Sequence, residues 1–177
     1  MKKIIVRTLA ALAAIVAVIL IVASTKPDTF RIERTTSIKA SSEKISTLIS
    51  NFHKWNSWSP FEKLDPAMKR TFSGSNEGLG AVYEWEGNSN AGSGRMEVLN
   101  VSSSKITIKL DFFKPFEAHN TAEFTLEPDG EFTKVTWAMH GPNQFLGKVM
   151  TVFMSMDAMV GKQFETGLSN LKSVSEM

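Results

Sequence analysis

The sequence predicts an α+β domain, a curved antiparallel sheet of about seven strands covered by one long C-terminal helix, behind an apolar N-terminal segment. Three observations predict it. Stretches of alternating polarity recur from Phe30 to His140, separated by Gly, Pro, Ser and Asn clusters. Apolar residues recur every three or four positions from Leu146 to Leu171. The run from Leu9 to Ala23 has no polar face at all. Period-two alternation marks a half-buried strand, recurrence at three and four marks one face of a helix, and an all-round apolar run suits a bilayer.

Taking the elements in order, Lys2, Lys3 and Arg7 precede the run LAALAAIVAVILIVA, which with its flanks offers roughly 16 to 20 residues to a membrane. Two fates compete: removal as a signal peptide, or retention as an anchor with its basic end inside. Val22-Ala23-Ser24 supplies small residues for cleavage but no clean Ala-x-Ala, and bulky Ile, Leu and Val fill the late part of the run, so retention is preferred. Either fate places the domain outside the cytoplasm, membrane-anchored in the first case and secreted or periplasmic in the second. Residues 1–25 are therefore the membrane or signal segment, 26–29 a linker, and 30–177 the domain.

The domain is long enough for one core. With 42% hydrophobic residues, 12 Phe, 4 Trp and 9 Met against 21% charged residues, the composition is that of a folded chain. The formal charge of +2 comes from the leader; without Lys2, Lys3 and Arg7 the remainder carries 17 basic and 18 acidic side chains. A near-neutral domain lacks the basic footprint for phosphate backbones, which argues against nucleic acid. With no cysteine, disulfides, thiol nucleophiles and thiolate metal sites are excluded.

Phe30, Ile32 and Arg34 alternate with Arg31 and Glu33, giving a first strand to about Ile38. Ser41-Ser42-Glu43 supplies a helix N-cap, and Ile45, Leu48 and Ile49 define a short helix ending near Asn51. The aromatic stretch Phe52 to Phe61, broken by Pro60, reads as a helical turn and a loop. Strands follow near Met68 to Ser73, Gly80 to Glu86, Gly94 to Val101, Lys105 to Phe113, His119 to Glu127 and Phe132 to His140, the last two joined by the Pro128-Asp129-Gly130 turn. Parity turns Ala81, Tyr83, Trp85, Met96, Val98, Ile106, Ile108, Leu110, Phe112, Ala122, Phe124, Leu126, Val135, Trp137 and Met139 inward. Val82, Glu84, Glu86, Lys109, Asp111 and Ala138 turn outward. The cover is a single helix of about 28 to 30 residues starting after Gly141-Pro142-Asn143. Gly161 and Gly167 inside it each cost about 1 kcal/mol relative to alanine, which points to close approach or to room for a guest.

The chemistry of catalysis is sparse. There is no Gly-x-Ser-x-Gly elbow and no His-x-x-x-His spacing, and His53, His119 and His140 read as surface or structural residues. Gly78-Leu79-Gly80 and Gly92-Ser93-Gly94 lack the remaining glycines of a dinucleotide fingerprint. No catalytic residue, metal site or cofactor is assigned, and parity places no carboxylate inside.

The order strand, short helices, six strands, long helix resembles the helix-grip fold of the START-like SRPBCC superfamily, particularly its polyketide cyclase/dehydrase-like branch, from Phe30 to about Val174. The residues that carry the likeness are Trp55-x-x-Trp58-Ser59-Pro60 with Asp65-Pro66, Gly78-x-Gly80-x-x-x-x-Trp85, Gly92-x-Gly94 into Arg95-Met96, and Thr121-x-x-Phe124 leading to Val135-Thr136-Trp137. The resemblance implies a cavity between sheet and helix that receives a lipid-like, aromatic or polyketide-like molecule. It does not imply a reaction. On that reading Tyr83, Trp85, Met96, Leu110, Phe112, Asn120, Phe124, Trp137, Met139, Phe153, Met156 and Val160 line the pocket, where periodicity alone would make them plain core. Trp55, Trp58 and Phe61 form its entrance, so that Trp58→Ala should weaken ligand uptake more than stability. The leading expectation is a membrane-tethered binding or carrier domain for a small hydrophobic ligand. A cyclase/dehydrase-type enzyme is the first alternative. The second is an envelope interaction module that binds nothing small, favoured by a cavity under about 300 Å³.

Overall fold

The computed structural model describes residues 1–177, the side chain of Met159 excepted. Helix α1 (Lys2–Ser24) leads through a short linker into strand β1 (Thr29–Ile38) and helix α2 (Ser42–Ser50). Two 3₁₀ turns, Phe52–Ser57 and Pro60–Lys63, precede strands β2 (Lys69–Gly74), β3 (Ala81–Glu86), β4 (Ser93–Val101), β5 (Lys105–Lys114), β6 (Ala118–Asp129) and β7 (Phe132–Pro142). Helices α3 (Phe145–Phe153) and α4 (Met156–Ser175) close the chain. The strands form one antiparallel sheet in the order β1-β7-β6-β5-β4-β3-β2.

Local chemistry explains the boundaries. The Ser41 side chain accepts from the Lys44 amide at 3.3 Å, capping α2, and Asn51 accepts from His53 N at 3.0 Å to start the first 3₁₀ turn. Gly130 adopts φ +60°, the left-handed conformation that the β6–β7 turn requires.

The inner face of the sheet is the core. Val98, Ile106, Ile108, Phe124, Leu126 and Val135 are fully enclosed, and α4 adds Phe164, Leu168 and Leu171. Trp137 stacks on Phe164 with ring centroids 4.2 Å apart and planes 5° from parallel. Gly167 permits that approach, since a methyl there would stand 2.6 Å from a Trp137 ring carbon and 3.1 Å from Pro60 Cδ. At Gly161 the guest is the Arg34 guanidinium, which reaches over the helix from β1, binds Asp157 through both terminal nitrogens (2.7 and 2.9 Å) and donates to Glu165 at 2.7 Å.

Three expectations need correction. The long helix is two helices: Met154 is extended (φ −149°, ψ 130°) and Ser155 accepts from Ala158 N at 3.0 Å, so a new N-cap opens α4. Apolar periodicity runs through that break because both helices present apolar faces. Val82 and Ala138 are buried although alternation turns them outward. Ala138 lies between its register partners Glu33 and Glu123, and Arg31 bridges those two carboxylates above it. Asp111, also turned outward, is buried between its register partners Arg95 and His119. Its oxygens take His119 Nδ1 at 2.8 Å and Lys109 Nζ at 2.9 Å. Burial raises the Asp111 carboxyl, but these two partners outweigh it and leave the pKa lowered. The hydrogen bond to Asp111 raises that of His119.

Candidate ligand cavity

Between the inner face of β3 to β7, the first half of α4 and the Pro60–Lys63 turn lies a cavity of about 120 Å³. The sheet contributes Tyr83, Trp85, Met96, Leu110, Phe112, Ala122, Trp137 and Met139. Helix α4 contributes Val160 and Phe164. Trp55, Phe61, Glu62, Leu64, Met68 and Ala91 complete the wall. The wall is apolar almost throughout, and Met68, Met96 and Met139 give it side chains that change shape at little cost.

One corner is polar. The 3₁₀ turn beginning at Pro60 carries Glu62 inward, where its residue is 8% exposed. Glu62 Oε1 accepts from the Tyr83 hydroxyl at 2.7 Å, and Oε2 accepts from Arg70 Nε at 2.7 Å. Arg70 also donates to the carbonyls of Glu62 (3.0 Å) and Met68 (2.7 Å), which fixes its plane. Burial, then the bond to Glu62, pushes the Tyr83 phenol up, so it stays a neutral donor at any physiological pH. The same carboxylate raises the Arg70 guanidinium. Parity arguments speak only for strands, so Glu62 was invisible to them; the expectation of no carboxylate inside is overturned. Glu84 and Glu86 are exposed.

The indole nitrogens sort the tryptophans. Trp55 donates to the Ile49 carbonyl (2.8 Å), Trp58 to that of Leu48 (3.1 Å) and Trp85 to that of Ala91 (3.0 Å). Trp137 Nε1 is buried without an acceptor, although its residue lines the cavity.

Of the expected pocket residues, Tyr83, Trp85, Met96, Leu110, Phe112, Trp137, Met139 and Val160 stand at the cavity wall, and so do Trp55 and Phe61 of the expected entrance. The others stand elsewhere. Phe124 is fully buried, packed against Trp58 and Trp137 at centroid distances of 6.1 and 5.0 Å. Trp58 is 1% exposed and is core, not entrance. Asn120 is buried beside Gly141, its Oδ1 unpartnered, away from the wall. Phe153 is 73% exposed on α3, before the helix break, and Met156 begins α4 half-buried, packed against the core but not at the cavity wall. Leu64, Met68, Ala91, Ala122 and Phe164 join the wall from turns and positions where parity fixes a face but not a distance from the void. Among the described residues no group of three or more His, Asp or Glu side chains is placed to hold a metal ion.

The model of the family described as polyketide cyclase / dehydrase and lipid transport matches residues 29–176. No curated protein matches the chain. Several solved structures share its fold at low identity. Protein CV1439 from Chromobacterium violaceum is 12% identical with a TM-score of 0.58, over 86% of this chain and 99% of that one. The Aha1 dimer from Colwellia psychrerythraea is 16% identical with a TM-score of 0.60, over 84% and 97%. The major latex-like protein 151 from Panax ginseng is 12% identical with a TM-score of 0.55, over 84% and 99%.

Proposed function

Because the chain belongs to the polyketide cyclase/dehydrase and lipid-transport family, whose members generally bind hydrophobic ligands, we propose that it is a membrane-tethered binding or carrier domain for a small hydrophobic molecule. The observation that carries this reading is the cavity's composition: an apolar wall with a single buried polar corner. Such a wall supplies affinity, and a few convergent polar groups supply orientation.

Size narrows the guest. At about 120 Å³ the void lies below the roughly 300 Å³ mark, which on size alone favours the interaction module that binds nothing small; it is close to the roughly 150 Å³ apolar cavity that accepts benzene, so the carrier reading rests on the family and on the composition of the wall. One ring or a short chain fits without rearrangement, and repacking of Met68, Met96 and Met139 extends the room. The unpartnered Trp137 N–H favours a guest with one acceptor oxygen, since an unmade buried hydrogen bond costs about 1–3 kcal/mol. The apolar leader would hold the domain at a bilayer, where such molecules concentrate.

Glu62 favours a second reading, in which a carboxylate abstracts a proton next to a guest carbonyl. Against it, each carboxylate oxygen already accepts a hydrogen bond, one of them from a guanidinium. Native mass spectrometry of the detergent-released full chain separates these readings. The carrier reading expects a retained apolar mass, released chemically unchanged. A chain that is empty, and stays empty after incubation with single-ring ketones, refutes it; a guest converted by the parent but not by Glu62→Gln establishes the enzyme.

A further inference from the structure

Helix α3 contributes nothing to the cavity wall, and its packing is unusual for a water-soluble domain. Phe145, Leu146, Met150, Phe153 and Met154 are between 38% and 73% exposed; Leu146, Met150 and Phe153, at i, i+4 and i+7, form one stripe, with Phe145 and Met154 exposed at the two ends of the helix. The opposite side, with Lys148, Thr151 and Val152, is half-buried, and α3 packs against α1. The contact involves the far end of α1. There Ala23 is fully enclosed and Ile19 half-buried, while the rest of that helix is exposed.

Polar contacts fix the arrangement. Asn143 donates from its backbone to the Asp28 carbonyl (2.7 Å) and from its side chain to that of Pro27 (3.1 Å). Lys148 forms an ion pair with Asp28, its side chain only 12% exposed. The start of α3 is thus clamped to the linker through which the chain leaves α1.

An α1 of 23 residues is about 35 Å long, enough for a hydrocarbon core of about 30 Å. Its C-terminal end then lies at the outer interface, and α3 lies at the same depth. A contiguous apolar stripe of this kind marks an interaction surface, and lipid is the partner continuous with α1. We propose that α3 is an interfacial helix whose stripe of Leu146, Met150 and Phe153 sits in the bilayer surface beside the anchor. Such helices bury their apolar face about 5–10 Å into the headgroup and acyl boundary. The inference rests on α1 being a retained membrane anchor. It has a consequence for orientation: Val160 at the cavity wall lies only about 6 Å of helical rise beyond Met156, the first residue of α4, so that end of the cavity lies toward the membrane.

The absence of cysteine from the chain permits a direct test. Full-length Ile15→Cys, Met150→Cys, Phe153→Cys and Leu79→Cys proteins are labelled with an environment-sensitive fluorophore and reconstituted into vesicles of zwitterionic lipid. Quenching by a nitroxide carried on the acyl chains is then compared. Leu79 is a control, 67% exposed between β2 and β3. The expected result is quenching at Met150 and Phe153 of the same order as at Ile15 and several-fold above Leu79. Quenching at Ile15 with Met150 and Phe153 no better quenched than Leu79 overturns the interfacial helix and leaves the anchor standing. Loss of quenching at Ile15 as well overturns both.

Discussion

Replacing Ala122 with leucine distinguishes a void from a closed core. Ala122 is 4% exposed on β6, opposite Ile108 and Met139, and its methyl faces the cavity. Ala122→Leu adds three carbon atoms. Buried in open space, each contributes about 0.8 kcal/mol, a gain of at most about 2.4 kcal/mol. Forced into a close-packed site, the same atoms cost about 1–3 kcal/mol through displaced neighbours. With about 120 Å³ available, the first case applies in large part, and the variant should melt within a few degrees of the parent or above it. The same atoms occupy the space a guest needs, so affinity for acetophenone, one ring with one acceptor oxygen, should fall at least tenfold by calorimetry. Undiminished acetophenone binding by a stable variant would refute the assignment of the site. A melting temperature lowered by more than a few degrees would show that there was no room to fill.

The two helix glycines should respond differently to alanine. Gly167→Ala meets the rigid Trp137 ring and Pro60, and the expected loss of about 1–3 kcal/mol in urea melts exceeds the helix-propensity gain; Gly161→Ala meets the far end of the long Arg34 side chain and Asp157 Oδ1, a surface ion pair that can shift toward solvent, and should lie within about 1 kcal/mol of the parent. Trp58→Ala removes a fully packed ring and its bond to Leu48 and should cost about 3–5 kcal/mol, lowering stability more than uptake, the reverse of what its place in an aromatic loop suggests. His119 has a folded pKa raised above its unfolded value, so its contribution to stability is complete below about pH 6.5 and is lost as pH rises through the higher folded value. Melts of His119→Gln should lack that pH-dependent component, and a parent-like profile in the variant would assign it to another group.

The sheet was legible in the sequence because one face of each strand meets a core and the other meets water. Tyr83, Met96, Leu110 and Met139 announce their direction by parity alone. The helix cover was legible for the same reason, through Phe164, Leu168 and Leu171. What periodicity does not carry is distance. It places Phe124 and Tyr83 on one face, but cannot tell that Phe124 is sealed against two tryptophans while Tyr83 borders a void. Nor does it speak for irregular segments: Glu62 enters the site from a 3₁₀ turn, and its partner Arg70 is eight residues away on an edge strand. The only prior signal was a carboxylate beside Pro60-Phe61 in an aromatic loop. The break at Met154 was masked because α3 remains apolar for a different neighbour, α1, so the stripe runs on while the surface it faces changes.

The central claim is that a hydrophobic guest occupies the space bounded by Met68, Met96 and Met139, and methyl-labelled methionine NMR of the full chain in detergent micelles tests it most directly. On titration with acetophenone, the ring current of a bound guest should move the Met68, Met96 and Met139 methyl signals and leave the exposed Met177 in place. Movement confined to the exposed methionines, or no movement up to the solubility limit, would contradict it.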